Sequence, residues 1–419
     1  MKFVCSPSSL GGTIDFVPPS KSVAHRALML GAISGATIRN VDYSKDILAT
    51  LNCLNALGVS YATEGSTVRF SPSQLKRNAP VTLNCGESGS TLRFFIPFSQ
   101  SLGNQTVFQG EGRLPERPLT VYFELFREKN LSYSHGEKYL PLSVSGTLTG
   151  GLFRVRGNIS SQFITGLMLS APLFEEPAEI TIIDTLESKP YLDITLDLLR
   201  TFGVGAEEGT SFYRIENTLP TRKDYTIEKD WSQAAFFLCG AAINGDIRLT
   251  GMNLHSSQGD KRILEILSDF QADVTAEPDC IHVKKSRLKA AQVDVRDVPD
   301  LVPVLTVLAC YAEGKTRLYN AARLRLKESD RLSAMYTELR KLGADISMGE
   351  DFLEIHGGKP LHGAETFSHN DHRIAMALAV CSLGITEEMT IRNPDCIEKS
   401  YPAFYQDFTK AGGSVHESY

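Results

Sequence analysis

Hydrophobic and polar positions along the chain form a pattern that repeats. A short strand pattern flanked by turn residues occurs six times, as GATIRNV, GNQTVFQG, AEITIID, GDIRLTG, GKTRLYN and EEMTIRN. Successive copies begin 67 to 75 residues apart. An apolar helical stretch precedes each copy, and most are followed by a second helix that ends in a segment such as LNALGVSY or LRKLGADI. The pattern predicts six units, each with the order strand, helix, strand, helix and closing strand.

The segment PPSKSVAHRALML, residues 18–30, predicts an amphipathic helix with Ser20 as its N-cap. Lys21 and Arg26 lie in its first turns, where unpaired N–H groups make the helix end electropositive. Two cations at this end either extend into water or are compensated by a bound phosphate or carboxylate. The local sequence leaves both alternatives open.

The repeat relates this helix start to two others. Lys21, Gly89 and Asp300 each lie 14 residues before the glycine that opens the next strand copy. All three are therefore predicted helix N-terminal positions. If three units pack around a pseudo-threefold axis in each half of the chain, their buried helices would direct positive potential the same way.

Composition limits the classes of function. The chain has 419 residues, enough for two or three domains, and 49 acidic against 43 basic residues give a net charge of −6. Nucleic acid is therefore not an expected partner. The eight cysteines are scattered without a C-x-x-C pair, which is typical of buried thiols in a reducing compartment. No signal peptide is recognised, and the longest apolar run, Leu301–Ala312, is too short to span a bilayer, so we expect a cytoplasmic protein.

Several motifs of the first half suggest anion binding. In CGESGSTLRFF, Gly86 and Gly89 allow backbone N–H groups to approach an anion, and Arg93 follows a turn later. Arg117 lies between two prolines in LPERPL, which suits a rigid bidentate clamp. A plain helix cap and a solvated loop arginine are the ordinary alternatives.

Neutral hydrogen-bonding residues cluster in the third unit. Ser160, Ser161 and Gln162 begin a strongly apolar helix in GNISSQFITGLM, and Ser188 and Tyr191 follow in ESKPYLDIT. One serine is enough to cap a helix. The additional donors favour a ligand rich in hydroxyl or phosphate groups.

The second half adds acids among cations. Asp300 precedes an apolar helix and is locally best interpreted as its N-cap. In LRLKESDRL, Lys327 and Arg331 are predicted to share one helical face, with Glu328 between them, although exposed salt bridges explain most such mixtures.

Two further motifs follow near the end of the chain. His372 and Arg373 are expected to start the last helix, and Lys399 follows in IEKSYP. His369 and His372 form only a weak candidate metal pair, because a third ligand is missing.

Taken together, the motifs contain eight cations: Lys21, Arg26, Arg93, Arg117, Lys327, Arg331, Arg373 and Lys399. One monophosphate does not require so many. Two small anionic substrates, with Asp300 and Glu328 as acid and base between the cations, fit the number better.

In order and spacing, PPSKSVAHRAL, CGESGSTLRF, ERP, GNISSQFITGLM, SKPYLDIT, LKESDRL and NDHRIAMA resemble the 5-enolpyruvylshikimate-3-phosphate synthase family. The resemblance implies an α/β fold of two similar domains, each of three βαβαββ units, with the active site in the cleft between them. The implied domains are 14–227, on the shikimate 3-phosphate side, and 1–13 plus 228–419, which carries the catalytic acids. The implied reaction is the sixth step of the shikimate pathway. It converts phosphoenolpyruvate and shikimate 3-phosphate into an enolpyruvyl ether and phosphate through a tetrahedral intermediate, without metal or organic cofactor.

The resemblance also implies roles for individual residues. Asp300 is the expected acceptor of the 5-hydroxyl proton, Glu328 the donor to the methylene carbon, and Lys21 a catalytic contact to both substrates. Shikimate 3-phosphate is expected to contact Lys21, Ser22, Arg26, Ser160, Ser161, Gln162, Ser188, Tyr191, Asp300 and Lys327. Phosphoenolpyruvate is expected to contact Lys21, Gly89, Arg93, Arg117, Gln162, Arg331, Arg373 and Lys399.

Three further expectations follow from the resemblance. The protein is expected to be a monomer, and Gly89 in place of alanine predicts sensitivity to glyphosate. Glu87 and Arg323 depart from the asparagines found in well-known members. Two alternatives remain: a non-catalytic binding protein for anionic metabolites, and a UDP-N-acetylglucosamine enolpyruvyl transferase. Against the latter, Ser22 rather than asparagine follows Lys21, and no cysteine lies between Gly110 and Pro118.

Overall fold

The computed structural model describes residues 2–71 and 75–418. The strands in this part of the chain, in order, are β1 Lys2–Ser6, β2 Leu10–Ile14, β3 Thr37–Arg39, β4 Tyr61–Glu64, β5 Thr67–Phe70, β6 Pro80–Asn84, β7 Gln105–Gln109, β8 Ser132–His135, β9 Leu142–Ser145, β10 Gly151–Val155, β11 Ala178–Ile182, β12 Ala206–Glu208, β13 Phe212–Ile215, β14 Asp224–Thr226, β15 Gly245–Thr250, β16 Asp273–Glu277, β17 Cys280–Lys284, β18 Gln292–Asp294, β19 Gly314–Tyr319, β20 Ile346–Met348, β21 Phe352–Gly357, β22 Glu365–Phe367, β23 Met389–Arg392 and β24 Ser414–Ser418.

Helices connect these strands. The α-helices of the same described residues are α1 Lys21–Ser34, α2 Lys45–Ala56, α3 Gly89–Gln100, α4 Thr120–Glu128, α5 Ser161–Ser170, α6 Lys189–Thr201, α7 Trp231–Asn244, α8 Ile263–Asp269, α9 Val302–Tyr311, α10 Arg331–Lys341, α11 His372–Cys381 and α12 Phe404–Lys410. Short 3-10 helices occupy Leu114–Glu116, Ala171–Leu173, Gly259–Arg262, Pro299–Leu301, Ala322–Leu326, Ser382–Gly384 and Pro394–Lys399.

The strands form six four-stranded sheets with one shared topology. Their orders are β14-β3-β5-β4, β6-β7-β9-β8, β10-β11-β13-β12, β2-β15-β17-β16, β18-β19-β21-β20 and β22-β23-β1-β24. In each sheet the first two strands are parallel and the others antiparallel, as in the pairing of β7 with β6 and with β9. The six predicted strand copies are confirmed, and each is the second strand of its sheet.

Contacts divide the chain into two units. The first unit is Pro19–Glu228, and the second unit is Met1–Pro18 with Lys229–Tyr419. The segment before Pro19 completes two sheets of the second unit: β2 pairs with β15, and β1 lies between β23 and β24. β14 completes the first sheet of the first unit by pairing with β3. Each unit therefore contains three sheets and its own hydrophobic core.

Buried helices form much of each core. The prediction of an amphipathic α1 is wrong, because eleven of its fourteen residues are buried. The helix ends at Gly35, which adopts the left-handed conformation and whose N–H binds the Gly31 carbonyl. α7, α9 and α11 are buried along nearly their whole length in the second unit. The prediction of buried thiols is confirmed for seven of the eight cysteines, all of which are free.

Among residues 2–71 and 75–418, the structure contains no helix with both the length and the apolarity needed to cross a bilayer.

Candidate active site

Serine caps begin the three buried helices of the first unit. Ser20, Ser88 and Ser160 precede α1, α3 and α5, and each hydroxyl accepts a backbone N–H of its helix. The predicted Ser20 cap is confirmed, with a 3.5 Å bond from the Val23 N–H. A serine cap satisfies one N–H without adding charge, so these helix ends keep their positive potential.

Lys21 and Arg26 are both held by protein groups. Lys21 Nζ lies 2.7 Å from a carboxylate oxygen of Asp46, in the first turn of α2. Arg26 is 2 % exposed, and its guanidinium donates to the Thr195 hydroxyl at 2.8 Å and to the Ser22 and Tyr191 carbonyls. The alternative in which both cations extend into water is therefore wrong.

Arg26 also supports the packing of the unit. A further bond to Thr165 at 3.3 Å brings the number of N–H groups in use to four of five. Its guanidinium stacks over the Phe94 ring at 5.2 Å, and burial lowers its pKa to about 9. Arg26 thus joins α1 to α5 and α6.

Arg93 and Gln162 link α3 to α5. Arg93 Nη1 donates to Gln162 Oε1 at 2.6 Å, and Gln162 Nε2 donates to the Ser90 hydroxyl at 2.9 Å. The Arg93 guanidinium lies 4.9 Å from the centre of the Phe163 ring. These contacts hold polar side chains at the N-termini of two neighbouring helices.

Gly89 provides space for Arg117. A Cβ atom at Gly89 would lie 2.3 Å from Arg117 Nη1 and 2.8 Å from its Cζ. No side chain can share that space with a guanidinium in this position. The Arg117 side chain is buried, and it lies directly against the first residue of α3.

The residues predicted from the third sequence repeat also lie at helix starts. Ser161 and Gln162 open α5, and Ser188 precedes α6. Ser188 is buried and has a left-handed φ of 56°, an uncommon conformation for a residue other than glycine. Tyr191 is half-buried in the first turn of α6, where its carbonyl accepts a hydrogen bond from Arg26.

Asp300 is surrounded by cations in the second unit. Its carboxylate lies 2.8 Å from Arg331 Nη1, 3.0 Å from Arg373 Nη2 and 3.6 Å from Lys327 Nζ. Burial alone would raise the Asp300 pKa, but Arg373, Lys327 and Arg331 outweigh it and hold the pKa well below 3.8. Asp300 lies inside the 3-10 turn Pro299–Leu301, and the N-cap of α9 is Leu301, so its interpretation as the N-cap is wrong.

Arg331 connects three carboxylates. Its side chain is 1 % exposed and contacts Asp300, Glu328 and Asp371, each at 2.8 Å. Burial opposes its charge, but the Asp371, Glu328 and Asp300 carboxylates raise its pKa. Because the same guanidinium binds Asp300 and Glu328, both candidate acids are placed against one cation.

The predicted helical face at Lys327 is wrong. α10 begins only at Arg331, because the Asp330 side chain caps it by accepting the Ser333 N–H at 3.0 Å. Lys327 and Glu328 therefore belong to the turn before the helix. Burial lowers the pKa of Lys327 to about 8.

Arg373 and Lys399 lie near the start of α11. Arg373 donates to the Ser232 hydroxyl at 2.9 Å, and Lys399 donates to the Asn370 carbonyl at 2.7 Å. α11 does begin at His372, but α12 follows it, so it is not the last helix.

The candidate metal pair gains no support. His369 Nε2 lies 2.7 Å from Glu338 Oε1. In the part of the chain that the structure describes, no group of three His, Cys, Asp or Glu residues is arranged to hold a metal ion.

Sequence reasoning missed three acids. Asp46 pairs with Lys21, and the fully buried Asp371 caps α11 and binds Arg331. Asp260 is 7 % exposed, and its Oδ1 has no hydrogen-bond partner among the described residues. Burial, together with the Asp300 charge, raises the pKa of Asp260 to about 8. The N-cap signature could have identified Asp371, but Asp46 and Asp260 act through tertiary contacts.

The fold is that of the enolpyruvyl transferases. A solved structure of the enolpyruvyl transferase NikO from Streptomyces tendae superposes with a TM-score of 0.78 and covers 99% of this chain and 98% of its own. The two sequences are 15% identical, so this likeness concerns the fold alone.

Closer relatives define the family. The family model for EPSP synthase (3-phosphoshikimate 1-carboxyvinyltransferase) matches residues 4–408. A 3-phosphoshikimate 1-carboxyvinyltransferase from Clostridium acetobutylicum is 45% identical over 98% of this chain and 97% of its own length. An EPSP synthase structure from Acinetobacter baumannii has a TM-score of 0.82 at 28% identity, covering 99% of this chain and all of its own. The chain belongs to the EPSP synthase family.

Proposed function

We propose that this chain transfers the enolpyruvyl group of phosphoenolpyruvate to the 5-hydroxyl of shikimate 3-phosphate and releases phosphate. The observation that carries the proposal is the pairing of Asp300 and Glu328 on Arg331, each at 2.8 Å. The reaction needs one group to accept a hydroxyl proton and another to protonate carbon. Two acids held on one cation supply both.

The cations explain how the substrates would activate Asp300. Without substrate, Arg331, Arg373 and Lys327 stabilise the ionised carboxylate and make it a weak base. A substrate carboxylate or phosphate that binds these cations withdraws them from Asp300 and Glu328. The proton affinity of both acids then rises, so substrate binding itself prepares them for proton transfer.

The addition step uses both acids. The 5-hydroxyl oxygen attacks C2 of phosphoenolpyruvate while Asp300 accepts the hydroxyl proton. Glu328, which must be protonated for this step, donates its proton to the methylene carbon, which becomes a methyl group, and Glu328 is left as a carboxylate. The product is a tetrahedral intermediate in which C2 carries the new ether, the carboxylate, the methyl group and the phosphate.

The elimination step returns the protons. Glu328 removes a proton from the methyl group, the bond from C2 to the phosphate oxygen breaks, and phosphate leaves with the proton from Asp300. Lys21 places its positive charge near the departing phosphate and stabilises the charge that develops there.

Residues of the first unit would hold shikimate 3-phosphate. Helix N-termini capped by neutral serines attract its phosphate, and the Ser22, Ser161, Gln162, Ser188 and Tyr191 side chains provide neutral hydrogen-bonding groups. Phosphoenolpyruvate would use Gly89, Arg93 and Arg117 of the first unit with Arg331, Arg373 and Lys399 of the second.

The test is phosphate release from the purified protein in EDTA, with both substrates present and with each omitted in turn. We expect release only when both are present. Release with UDP-N-acetylglucosamine in place of shikimate 3-phosphate would contradict the proposed acceptor. Absence of release together with calorimetric binding of shikimate 3-phosphate would favour a binding protein. The monomeric state and the cytoplasmic location stay predictions.

A further inference from the structure

A buried chain of hydrogen bonds joins the first three helices of the first unit. His25 Nδ1 lies 2.7 Å from the Thr50 hydroxyl, which lies 2.8 Å from the Thr91 hydroxyl. Thr91 donates to the Ser88 hydroxyl at 2.8 Å. All four residues are at most 1 % exposed. The chain therefore links α1, α2 and the N-cap of α3 through side chains that water does not reach.

This series of hydrogen bonds lies one helical turn after the Lys21–Asp46 ion pair, and Lys21 is expected to contact substrate. His25 is four residues after Lys21 on α1, and Thr50 is four residues after Asp46 on α2. Residues four apart share one face of a helix. The Lys21–Asp46 contact at 2.7 Å and the His25–Thr50 contact are therefore successive rungs between the same two helices.

Thr91 connects α3 to both of these contacts between α1 and α2. Its hydroxyl meets Thr50 at 2.8 Å and approaches the Asp46 carbonyl at 3.5 Å. Its N–H donates to the Ser88 hydroxyl at 3.2 Å, which caps α3 directly before Gly89. Thr50 is thus connected through Thr91 both to Asp46, the partner of Lys21, and to the N-terminus of α3, where Arg117 lies against Gly89.

The His25 ring takes part as a neutral group. Burial, reinforced by the nearby Lys21 and Arg26 charges, holds its pKa well below 6.5. A neutral ring has one N–H and one acceptor nitrogen. The Nε2 atom has no hydrogen-bond partner among the described residues, and a buried acceptor without a partner is more often tolerated than a buried N–H. We therefore assign the proton to Nδ1, which donates to Thr50.

We propose that His25, Thr50 and Thr91 are positioning residues that fix Lys21 and the Gly89 end of α3 relative to one another. This inference rests on the proposed function, because it assigns phosphoenolpyruvate to Lys21 and Gly89. The bonds run from His25 through Thr50 and Thr91 to Ser88, and the Thr50 and Thr91 hydroxyls each accept one bond and donate the next. Loss of one hydroxyl breaks the connection while the packing volume is kept.

The experiment compares Thr50→Val with Thr50→Ser. Valine matches threonine in shape but removes both hydrogen bonds, whereas serine keeps the hydroxyl. We expect Thr50→Val to raise the KM for phosphoenolpyruvate about tenfold, equivalent to one misplaced contact of about 1.4 kcal/mol, and to change the KM for shikimate 3-phosphate less. Thr50→Ser should restore both constants to within about twofold of wild type.

The matched control is Thr106→Val in the same unit. Thr106 is equally buried, and its hydroxyl bonds Ser99 at 2.6 Å, near the opposite end of α3. It should lower the melting temperature as much as Thr50→Val while leaving both KM values unchanged. If Thr50→Val and Thr106→Val change the two KM values equally, the positioning role is overturned.

A double-mutant cycle with Asp46→Asn tests whether Thr50 acts through the Lys21–Asp46 pair. If the chain acts through the Lys21–Asp46 pair, Thr50→Val should change KM much less in the Asp46→Asn background than alone. Additive effects would overturn the inference. Should Thr50→Val lack a cooperative melt, Thr91→Val takes its place in the cycle. Failure of the proposed function is distinguishable, because the wild type would then release no phosphate.

Discussion

The two units place different chemistry at equivalent helix starts. Ser20, Ser88 and Ser160 cap the buried helices of the first unit, whereas Asp230 and Asp371 cap α7 and α11 in the second, and Asp300 lies in the turn directly before α9. These six residues follow one another at intervals of 68 to 72 residues. The same repeated architecture thus carries neutral caps in one unit and carboxylates in the other.

The difference separates anion binding from acid–base chemistry. A serine cap satisfies an N–H and leaves the electropositive helix end available to a ligand. In the second unit, Asp371 pairs with Arg331 as well as capping α11, and Asp300 pairs with both Arg331 and Arg373. The comparison predicts that adding a carboxylate to the first unit harms binding, whereas removing one from the second unit harms chemistry.

The largest expected effect comes from removing a carboxylate of the second unit. Asp300→Asn should lower kcat by about a thousandfold, within the range for loss of a general base, because the amide cannot accept the hydroxyl proton. Phosphate release measures kcat, and calorimetry should show shikimate 3-phosphate still bound. Asp407→Asn is the matched control, since Asp407 is buried in the same unit and pairs with Lys410. A kcat near that of the control would remove Asp300 from the mechanism.

The converse change adds a carboxylate to the first unit. Ser160→Asp should raise the calorimetric Kd for shikimate 3-phosphate about 10- to 100-fold, or about 1.4–2.8 kcal/mol, because the new charge repels the ligand phosphate. The melting temperature should change little, since aspartate caps helices as well as serine does. Ser160→Asn has the same size without the charge. Equal weakening by both variants would show that charge at this cap is unimportant.

The sequence predicted the strands and the first helix cap well. All six strand copies formed, and the Ser20 cap formed, because period and cap chemistry are encoded within a few residues. The helix start at Lys327 was misplaced although Asp330 is itself a strong N-cap signal. The sequence therefore placed several predicted site residues correctly near helix starts, but it misjudged the local geometry at Lys327 and Asp300.

Partners across the fold could not be predicted. The Lys21–Asp46 pair spans 25 residues, and the Arg331–Asp371 pair spans 40. Neither separation matches a helical or strand period, so only tertiary packing brings these groups together. For the same reason, the local sequence offered only water or a bound anion as partners of Lys21 and did not indicate the Asp46 carboxylate.

A smaller effect tests the neutral helix end at Gly89. Gly89→Ala places a methyl group 2.3 Å from Arg117 Nη1 and must displace the guanidinium. We expect the KM for phosphoenolpyruvate to rise about tenfold, or about 1.4 kcal/mol, and inhibition by glyphosate to weaken. The Kd for shikimate 3-phosphate should stay near that of wild type. Gly11→Ala is the control, because its Cβ would approach nothing closer than 3.8 Å. Unchanged kinetics in Gly89→Ala would place phosphoenolpyruvate away from Arg117.

The last expected effect is on stability rather than on activity, and it concerns the charge balance of the second unit. The raised pKa of Asp260, about 8 against an ordinary 3.8, means that the folded protein binds this proton more tightly than the unfolded chain does. The associated stability is fully present below about pH 4 and is lost as the pH rises towards 8. Asp260→Asn cannot ionise and therefore does not lose this stability. Its free energy of unfolding should be about 1–3 kcal/mol higher than that of wild type near pH 7.5.

Thermal melts of both proteins between about pH 4 and pH 8 measure this difference. The gap between their melting temperatures should be near zero at the acidic end and should widen steadily with pH. A constant gap would mean that Asp260 ionises normally when folded. The Asp300 cluster would then tolerate another full negative charge, and the cations, rather than proton uptake, would balance the carboxylates of the second unit.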